Sequence, residues 1–549
     1  MLVTDAVAEV LAGLGADTVF GVVGSGNFHV TNALVARGAR FVAARHEAGA
    51  ACMADGWARA SGRVGVLSVH QGPGLTNAMT GITEAAKSRT PLLVLAADVA
   101  GAAVRSNFRI DVAALAGAVG ATADRVHSPA SAAADAARAY QTALRERRTV
   151  VLALPLDVQA AQCGPPAVPA LPPLRPAVPA EESATALAET LASAQRPVFV
   201  AGRGARVADA RADLEALADV CGALLATSAA AKGLFQGNPW NLDVSGGFAS
   251  PLAAGLIGAA DVIVGWGCSL NMWTMRHGKL IGPHATVVQV DDEAGAIGGH
   301  RPVDLGVLGD VGQTARAVLA TLAHRASPGY RSADLADRIA REGRWRDVPY
   351  PDESTDGASG RIDPRTLTIA LDDLLPAERM VSVDSGNFMG YPTMFLSVPD
   401  AAAFCFTQAY QSIGLGLASG IGAALAQPGR LPVAALGDGG ALMGISELET
   451  VVRLGLPMVI VVYDDEAYGA EVHHFGPDGH PLDTVRFPPA DLAAIGRGFG
   501  CEGVTVRGPA DLAPVRAWLA GPRERPLVID AKVTSASGSW WLEEAFRGH

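Results

Sequence analysis

The sequence predicts an α/β protein made of three doubly wound, parallel-sheet domains. Short apolar runs alternate along the chain with helical segments, as in repeated strand–helix–strand units. The 549 residues also exceed the roughly 250 at which a single hydrophobic core stops growing. Two segments, one rich in proline and one polar, separate three blocks. We therefore predict domains at residues 1–163, 181–327 and 361–535.

Composition narrows the classes of partner and compartment. Hydrophobic residues make up 49% of the chain and charged residues 18%, which suits a soluble α/β protein with buried cores. The net charge of −12 argues against nucleic acid and anionic membranes as partners. The six cysteines form no CxxC pair, and the first residues include Asp5 and no basic leader. The cysteines predict a reduced cytoplasm, and no apolar run approaches the roughly 20 residues of a membrane helix.

The stretch at residues 431–475 is the most informative part of the chain. Two apolar runs, at residues 431–436 and 457–463, are typical of buried parallel strands, and a helical pattern lies between them. A right-handed strand–helix–strand unit brings both strand ends to one edge of the sheet. There the first run is followed by Gly437-Asp438-Gly439-Gly440 and the second by Asp464-Asp465.

Two carboxylates beside a glycine turn and a helix start suit a metal–phosphate site. Carboxylate oxygens are ligands that a hard divalent cation prefers, and the start of a helix favours a phosphate group. The alternative is a pair of surface turns that are acidic by chance. The agreement between the motif and its strand–turn–helix context favours the ligand site.

This segment resembles the diphosphate-binding motif of thiamine diphosphate (ThDP) enzymes, in which Gly-Asp-Gly is followed some two dozen residues later by a pair that is usually Asn-Asn. It is most similar to the acetolactate synthase, benzoylformate decarboxylase and pyruvate decarboxylase group. The resemblance implies that Mg²⁺ is bound by the side chains of Asp438 and Asp465 and by the carbonyl of Ala467. It also implies contacts with the cofactor from Gly437, Gly439, Gly440 and Tyr468. The chain departs from the motif at Asp464-Asp465, where two acids replace the amides.

The first block carries the predicted catalytic acid, Glu47, near the start of a helical stretch that opens Arg45-His46-Glu47-Ala48-Gly49-Ala50. An isolated glutamate at such a place is ordinarily a surface residue that complements the helix dipole. In the resembled family, the acid at this point hydrogen-bonds the aminopyrimidine N1′ and promotes removal of the proton from thiazolium C2. The resemblance assigns that role to Glu47.

A strand predicted at residues 64–69 is followed by His70-Gln71-Gly72-Pro73-Gly74. The Gly72-Pro73-Gly74 turn resembles the synthase branch of the family, whereas His70 resembles the active-site histidine of benzoylformate decarboxylase. A histidine at a strand end is equally often a structural residue. Proton transfer and a structural role both stay open for His70.

The third block contains further site residues that follow from the same resemblance. Ile413 stands where the family places the apolar side chain that bends the cofactor into a V, and Gly386 and Asn387 stand where the diphosphate is contacted. Glu471 matches a catalytic acid of pyruvate decarboxylase, and His474 follows it closely. The alternative for both is a solvated helix face.

In the first block, Arg109 is a candidate partner for a substrate carboxylate or a surface ion-pair residue.

The first and third blocks share a short repeat. Ser25-Gly26-Asn27-Phe28 and Ser385-Gly386-Asn387-Phe388 each follow the first predicted strand of their block, as in duplicated α/β units. The resemblance implies that these blocks share a fold and bind the pyrimidine and the diphosphate ends of ThDP. The central block has Gly202-Arg203-Gly204 after a strand but no complete GxGxxG fingerprint, so FAD is a candidate there without motif support.

Together these features predict a ThDP- and Mg²⁺-dependent enzyme of the lyase or transferase type. It would decarboxylate a small-molecule 2-oxo acid and ligate the product to a second carbonyl, as acetolactate synthase does. The alternatives are a simple 2-oxo acid decarboxylase like benzoylformate decarboxylase, a flavin-dependent oxidase of the same superfamily, and a catalytically silent protein with the ThDP fold. The resemblance also implies a homodimer or homotetramer in which Glu47 and Asp438 of one site come from different subunits.

Overall fold

Residues 1–322 and 327–542 are described by the computed structural model, and they form three six-stranded sheets in which every strand pair is parallel. The strands are β1 Thr18–Gly21, β2 Arg40–Ala43, β3 Gly65–Val69, β4 Leu92–Asp98, β5 Thr122–Arg125, β6 Thr149–Pro155, β7 Pro197–Ala201, β8 Leu224–Thr227, β9 Asn241–Val244, β10 Val262–Trp266, β11 Thr286–Asp291, β12 Leu305–Leu308, β13 Arg379–Val383, β14 Phe404–Phe406, β15 Leu431–Gly437, β16 Val459–Asp464, β17 Glu502–Val506 and β18 Leu527–Lys532.

Helices flank all three sheets. They are α1 Val3–Gly13, α2 Phe28–Ala36, α3 Glu47–Ser61, α4 Pro73–Lys87, α5 Val112–Ala118, α6 Ala132–Glu146, α7 Leu156–Gln159, α8 Glu181–Ser193, α9 Arg203–Val207, α10 Arg211–Cys221, α11 Pro251–Gly258, α12 Met272–Met275, α13 Val311–Leu322, α14 Ala333–Glu342, α15 Pro364–Leu374, α16 Gly390–Phe395, α17 Gly416–Ala426, α18 Asp438–Met443, α19 Glu447–Arg453, α20 Gly469–Phe475, α21 Leu492–Phe499 and α22 Ala513–Ala520. The predicted α/β class with three parallel sheets is confirmed.

The first and third sheets have the same strand order. It is β2-β1-β3-β4-β6-β5 in the first sheet and β14-β13-β15-β16-β18-β17 in the third. The two Ser-Gly-Asn-Phe runs therefore occupy equivalent positions, after β1 and after β13. The central sheet has the order β12-β11-β10-β7-β8-β9, which is the dinucleotide-fold order 3-2-1-4-5-6 read from its other edge.

The predicted strand–helix–strand unit at residues 431–475 is present. β15 and β16 are parallel neighbours, nearly every residue of both is buried, and α18 and α19 form the crossover between them. Buried strands of this kind need apolar residues on both faces, which is why they appear in the sequence as continuous apolar runs.

The polar segment at residues 327–360 is more than the linker that the sequence predicts, because it contains the helix α14. The hydroxyl of Ser332 caps this helix by accepting a hydrogen bond from the backbone N–H of Leu335 at 3.2 Å. Ile339 is the one buried side chain of α14. The helix is short and its few apolar residues lie among Asp, Arg and Glu residues, which is why the sequence favoured a linker there.

The first and third domains pack closely through α3 and α17. A Cβ atom on Gly56 would lie 2.2 Å from the carbonyl oxygen of Ser419, and one on Gly422 would lie 1.9 Å from that of Met53. Glycine at both positions therefore lets the two helix backbones touch. One apolar core continues across this contact, so the first domain is fixed on the third within one chain.

All six cysteines are free thiols. Within residues 1–322 and 327–542, none of the helices combines the length and the apolarity needed to cross a bilayer.

Candidate active site

The loops of the third domain that carry predicted site residues meet at one edge of its sheet. β14, β13, β15 and β16 are consecutive neighbours in the sheet, and all are parallel. The loops at their carboxyl ends carry, in that order, Ile413, Asn387, Asp438 and Asp465. Such an edge is where ligands bind in open α/β sheets.

Asp465 lies close enough to Asp438 to disturb its ionisation. Asp438 is the first residue of α18 and is only 9% exposed, and Asp465 directly follows β16. Burial, followed by the negative charges of Asp465 and Asp464, raises the pKa of Asp438 to about 8. Burial is also the main reason that the pKa of Asp465 rises to about 7, despite a hydrogen bond from the backbone N–H of Ala467. A divalent cation between the two carboxylates would relieve this cost.

The turn that carries Asp465 and Ala467 is held by several contacts. Glu466 has φ of +59°, in the left-handed region that a glutamate rarely adopts. Its side chain forms an ion pair with Arg361 at 2.6 Å, and its backbone N–H donates to Oδ1 of Asp464 at 3.1 Å. These contacts offset the strain and fix the backbone on both sides of Asp465.

Glycines make room beside the two carboxyl groups. A Cβ atom on Gly439 would lie 2.6 Å from Cε1 of Tyr468, and one on Gly440 would lie 2.5 Å from Oδ2 of Asp384. A Cβ atom on Gly437 would lie 3.2 Å from the ring of Phe388. Glycine at these positions therefore lets the side chains of Tyr468, Asp384 and Phe388 pack directly on the backbone of the turn.

The donor set fits a hard cation with a diphosphate. Among the residues that the structure describes, no group of three or more His, Cys, Asp or Glu side chains is arranged to hold a metal ion. A cation at Asp438 and Asp465 would therefore take its remaining ligands from backbone carbonyl, water and phosphate oxygens, as magnesium commonly does.

Asp384 is a site residue that the sequence reasoning missed. Its buried carboxylate accepts hydrogen bonds from the backbone N–H groups of Gly414 at 2.9 Å and Leu415 at 3.1 Å. Burial raises its pKa to about 6. Asp384 thereby fixes the loop that presents the half-buried Ile413. Its place at the end of β13, directly before Ser385, was the available signal.

Asn387 is held by the segment near the end of the chain. Oγ of Ser539 lies 3.0 Å from the carbonyl oxygen and 2.5 Å from Oδ1 of Asn387. Trp541 is fully buried and packs on Gly390, where a Cβ atom would lie 2.4 Å from its ring. Gly386 has φ of +135°, a conformation that favours glycine. The sequence analysis did not connect Ser539 with Asn387, because the two lie far apart along the chain.

Tyr468, Glu471 and His474 follow the metal turn directly. Tyr468 covers Gly439 and contacts the ring of Phe487 at 4.9 Å between centroids. Glu471 and His474 are half-buried on α20, so they do not lie on a fully solvated helix face. Their proposed part in proton transfer stays a prediction.

The first domain presents its predicted residues at the equivalent edge. Glu47 is the first residue of α3, and its Oε2 accepts a hydrogen bond from Nδ2 of Asn77 at 3.1 Å. Nδ1 of His70 lies 2.8 Å from the carbonyl oxygen of Gln71, and Nε2 lies 3.3 Å from Oγ of Ser25. The first contact makes Nδ1 the protonated nitrogen of the neutral ring, which leaves Nε2 to accept from Ser25.

We predict that His70→Ala lowers kcat/KM by about 100-fold and removes one limb of the pH–rate profile, as expected for a proton-transfer group. The matched control is Ser25→Ala, which keeps the imidazole and removes only its hydroxyl neighbour. Steady-state kinetics between pH 5 and 9 measure both variants. An unchanged pH profile in a folded His70→Ala protein would favour the structural role.

Glu447 is a second residue that the sequence reasoning missed. Its buried carboxylate accepts from the backbone N–H groups of Arg45 at 3.0 Å and His46 at 3.1 Å, and the hydroxyl of Thr450 donates to it at 2.6 Å. Because Glu447 belongs to the third domain, that domain fixes the segment that leads into Glu47.

The two sets of site residues are held by different domains. Glu47 and His70 contact residues of the first domain, whereas the groups around Asp438 and Asp465 belong to the third. Among the described residues, no hydrogen bond joins Glu47 or His70 to these acids.

Arg109 lies exposed in the loop after β4, beside Phe108, whose ring contacts that of His70 at 5.2 Å between centroids.

A cleft of about 1330 Å³ lies where the three domains meet. It is lined by residues of all three, including Arg59, Arg203, Gly267 and Asp400. The cleft lies beside β7 and β10, where the strand order of the central sheet reverses. FAD binding to the central domain stays a prediction.

Three family models match this chain. The models for the N-terminal TPP binding domain, the central domain and the C-terminal TPP binding domain of thiamine pyrophosphate enzymes match residues 1–115, 184–318 and 384–531. The chain belongs to the thiamine pyrophosphate enzyme family. Thiamine pyrophosphate is another name for ThDP, so the predicted family and cofactor are confirmed.

Relatives within this family carry different activities. The chain is 32% identical over 521 residues to a probable 2-ketoarginine decarboxylase of Pseudomonas aeruginosa, with 92% of this chain and 89% of that protein covered. It is 30% identical to a sulfoacetaldehyde acetyltransferase of Rhodobacter capsulatus, with 92% and 90% covered. It is 28% identical to an acetolactate synthase large subunit of Parasynechococcus marenigrum, with 91% and 82% covered. The protein is thus a ThDP-dependent enzyme with chemistry of the lyase or carboligase type.

Proposed function

We propose that this enzyme decarboxylates a 2-oxo acid and joins the resulting acyl unit to a second carbonyl compound. The observation that carries the proposal is the edge of the third sheet, where Asp438, Asp465 and the glycines of the 437–440 turn converge. Carboligation is supported by the Gly72-Pro73-Gly74 turn and by the similarity to an acetolactate synthase.

The residues of the third domain would hold the cofactor by its diphosphate. Mg²⁺ would be bound by the side chains of Asp438 and Asp465 and by the carbonyl oxygen of Ala467. Asn387 and the glycines of the 437–440 turn would contact the phosphates, and Ile413 would support the rings. Bound ThDP supplies an electron sink for cleavage of the bond next to a carbonyl.

The residues of the first domain would manage protons. Glu47 would donate a hydrogen bond to the aminopyrimidine N1′, with its other carboxyl oxygen held by Asn77. His70, with Nε2 as its basic nitrogen, would exchange a proton with the reacting oxygen. Glu471 and His474 would face the same space from α20.

On this proposal Glu47 and Asp438 of a complete site come from two subunits, as the resemblance to the family implies. We predict that Glu47→Gln and Asp438→Ala chains, each inactive alone, regain activity when co-expressed. A mixed dimer would have one intact and one doubly altered site, so random pairing gives about a quarter of wild-type activity. Absence of activity in mixed dimers isolated through two affinity tags would contradict the shared site.

Substrate assays distinguish carboligation from the second candidate, simple decarboxylation. The second candidate is favoured by the contact of His70 with Ser25 and by the similarity to a probable 2-ketoarginine decarboxylase. Pyruvate, benzoylformate and 2-ketoarginine are assayed alone and with an aldehyde acceptor such as sulfoacetaldehyde. A carboligase yields a ligated product that depends on the acceptor, whereas a decarboxylase yields the aldehyde at a rate that the acceptor leaves unchanged.

The same assays test two further alternatives. A flavin-dependent oxidase would be yellow as purified and would take up oxygen with the 2-oxo acid. A catalytically silent protein would release no CO₂ from any of the three acids, even with saturating ThDP and Mg²⁺.

A further inference from the structure

A buried ion-pair cluster lies directly behind the proposed metal turn. Asp464 and Lys532 are register partners at the ends of β16 and β18, and Asp530 lies two residues before Lys532 on the same face. Nζ of Lys532 forms an ion pair with Asp464, a second with Asp530 at 3.1 Å, and a hydrogen bond to the carbonyl oxygen of Ala490 at 2.8 Å. All three ammonium protons thus have acceptors, and the three charged residues are at most 4% exposed.

The Asp464 carboxylate connects this cluster to the turn. Its Oδ2 contacts Lys532, and its Oδ1 accepts the backbone N–H of Glu466 at 3.1 Å. The carbonyl oxygen of Asp464 accepts from the backbone N–H of Val533 at 3.0 Å and from Arg361 at 3.2 Å. The position of Asp464 therefore fixes the backbone from which Asp465 and Ala467 project.

The carboxylate at position 464 explains why a positively charged side chain is needed behind the turn. An amide there, as in the usual Asn-Asn pair, could accept the Glu466 N–H with its oxygen and donate with its nitrogen. A carboxylate only accepts, so it needs a donor for its second oxygen. It also adds a negative charge beside Asp438 and Asp465, at a site that would bind a diphosphate. A buried ammonium group meets both needs at once.

We propose that Lys532 is a positioning residue for ThDP and Mg²⁺. Its ammonium group offsets part of the negative charge of Asp464 and Asp530 and holds the Asp464 carboxylate, so that the turn presents Asp465 and Ala467 to the cation. The Asp464–Lys532 pair thus replaces the neutral amide of the usual motif. This inference rests on the proposed metal site.

A double-mutant cycle tests the pair in the full-length protein. Lys532→Met, Asp464→Asn and the double variant are titrated with ThDP at saturating Mg²⁺ by calorimetry, and their unfolding temperatures are measured without ligand. We expect Lys532→Met to weaken ThDP binding by about 10- to 100-fold, the usual cost of losing a partner behind a metal ligand. If the two residues act as a pair, the dissociation constant of the double variant for ThDP should be at least tenfold lower than the product of the two single effects predicts. Lys532→Arg, which keeps the charge, should restore most of the affinity.

The matched control is Lys232→Met in the central domain. Lys232 is also buried and forms an ion pair, with Asp243 at 3.1 Å, but it does not belong to the cluster. Its loss should lower the unfolding temperature and leave the dissociation constant for ThDP unchanged. If Lys532→Met behaves in this way too, its role is structural only and the inference is overturned.

Lys532→Met leaves two buried acids uncompensated and can therefore fail to fold. The neutral variant Asp464→Asn/Asp530→Asn/Lys532→Met keeps the test decisive, because we expect it to fold and to bind ThDP within about threefold of wild type. A folded neutral variant that does not bind would overturn the inference. Wild-type protein that binds no ThDP with Mg²⁺ would instead refute the proposed function itself.

Discussion

Glu47→Gln is expected to lower turnover by at least about 100-fold, the effect typical of removing a proton-transfer group. Glutamine keeps the shape of the side chain and still accepts the hydrogen bond from Asn77, so α3 and its contact with α17 should be unchanged. The amide cannot give a proton to the aminopyrimidine. Steady-state decarboxylation measures the loss, and calorimetry should show ThDP binding close to that of wild type.

The matched control for this substitution is Glu146→Gln, at the exposed end of α6. It removes a glutamate from the same domain without touching the site and should leave turnover unchanged. Near-normal turnover in Glu47→Gln would refute the catalytic role. Loss of ThDP binding together with turnover would indicate a role in binding instead.

Asp438→Ala is expected to weaken Mg²⁺-dependent ThDP binding by more than about 100-fold. The reason is that losing even a residue that only supports a metal ligand typically lowers metal affinity by about 10- to 100-fold. The substitution removes a proposed ligand and one of the two adjoining buried acids. The metal-free variant should therefore fold normally and become more stable than wild type above neutral pH. Calorimetry at fixed Mg²⁺ and unfolding without metal measure the two effects.

Asp465→Asn is the matched variant for this prediction. It restores the amide that the resembled motif usually has and keeps an oxygen ligand, so we expect ThDP binding within about tenfold of wild type. Equal binding by Asp438→Ala and Asp465→Asn would contradict the proposed ligand set.

The pH dependence of stability gives a further test of the metal turn. The folded-state pKa values of Asp438 and Asp465, about 8 and about 7, lie above the ordinary value of 3.8. The folded protein holds these two protons more tightly than the unfolded chain does. The stability that this gives is fully present below pH 3.8 and is lost as the pH rises through 7 and 8. Since Mg²⁺ needs both carboxylates ionised, it should raise the unfolding temperature more at pH 8 than at pH 6. Equal shifts at the two pH values, measured by calorimetric scans against a chelator control, would contradict this account.

Much of the fold could be predicted from the sequence because its strongest signals are local. β15 and β16 are buried on both faces and therefore appear as continuous apolar runs. The Gly-Asp-Gly turn and the acidic pair occur directly at the ends of these runs, so Asp438 and Asp465 could be placed at one sheet edge from the sequence alone. Glu47 could be placed at a helix start for a similar reason.

The parts that could not be predicted depend on contacts between distant segments. Glu447 orders the approach to Glu47 across a domain boundary, and Ser539 reaches Asn387 from the far end of the third domain. The partner of Asp464 lies on another strand, so the local motif shows only an unexplained acid. In each case the residue type is ordinary, and only the packing of domains and strands gives it a role.

Calorimetric titration of the purified protein with ThDP, in the presence of Mg²⁺ and again with excess chelator, tests the metal-anchored cofactor site most directly. Saturable binding with Mg²⁺ that is lost with chelator, and that is absent in Asp438→Ala, is the predicted result. Binding of equal affinity under both conditions, or no binding under either, would contradict a cofactor anchored by a cation between Asp438 and Asp465.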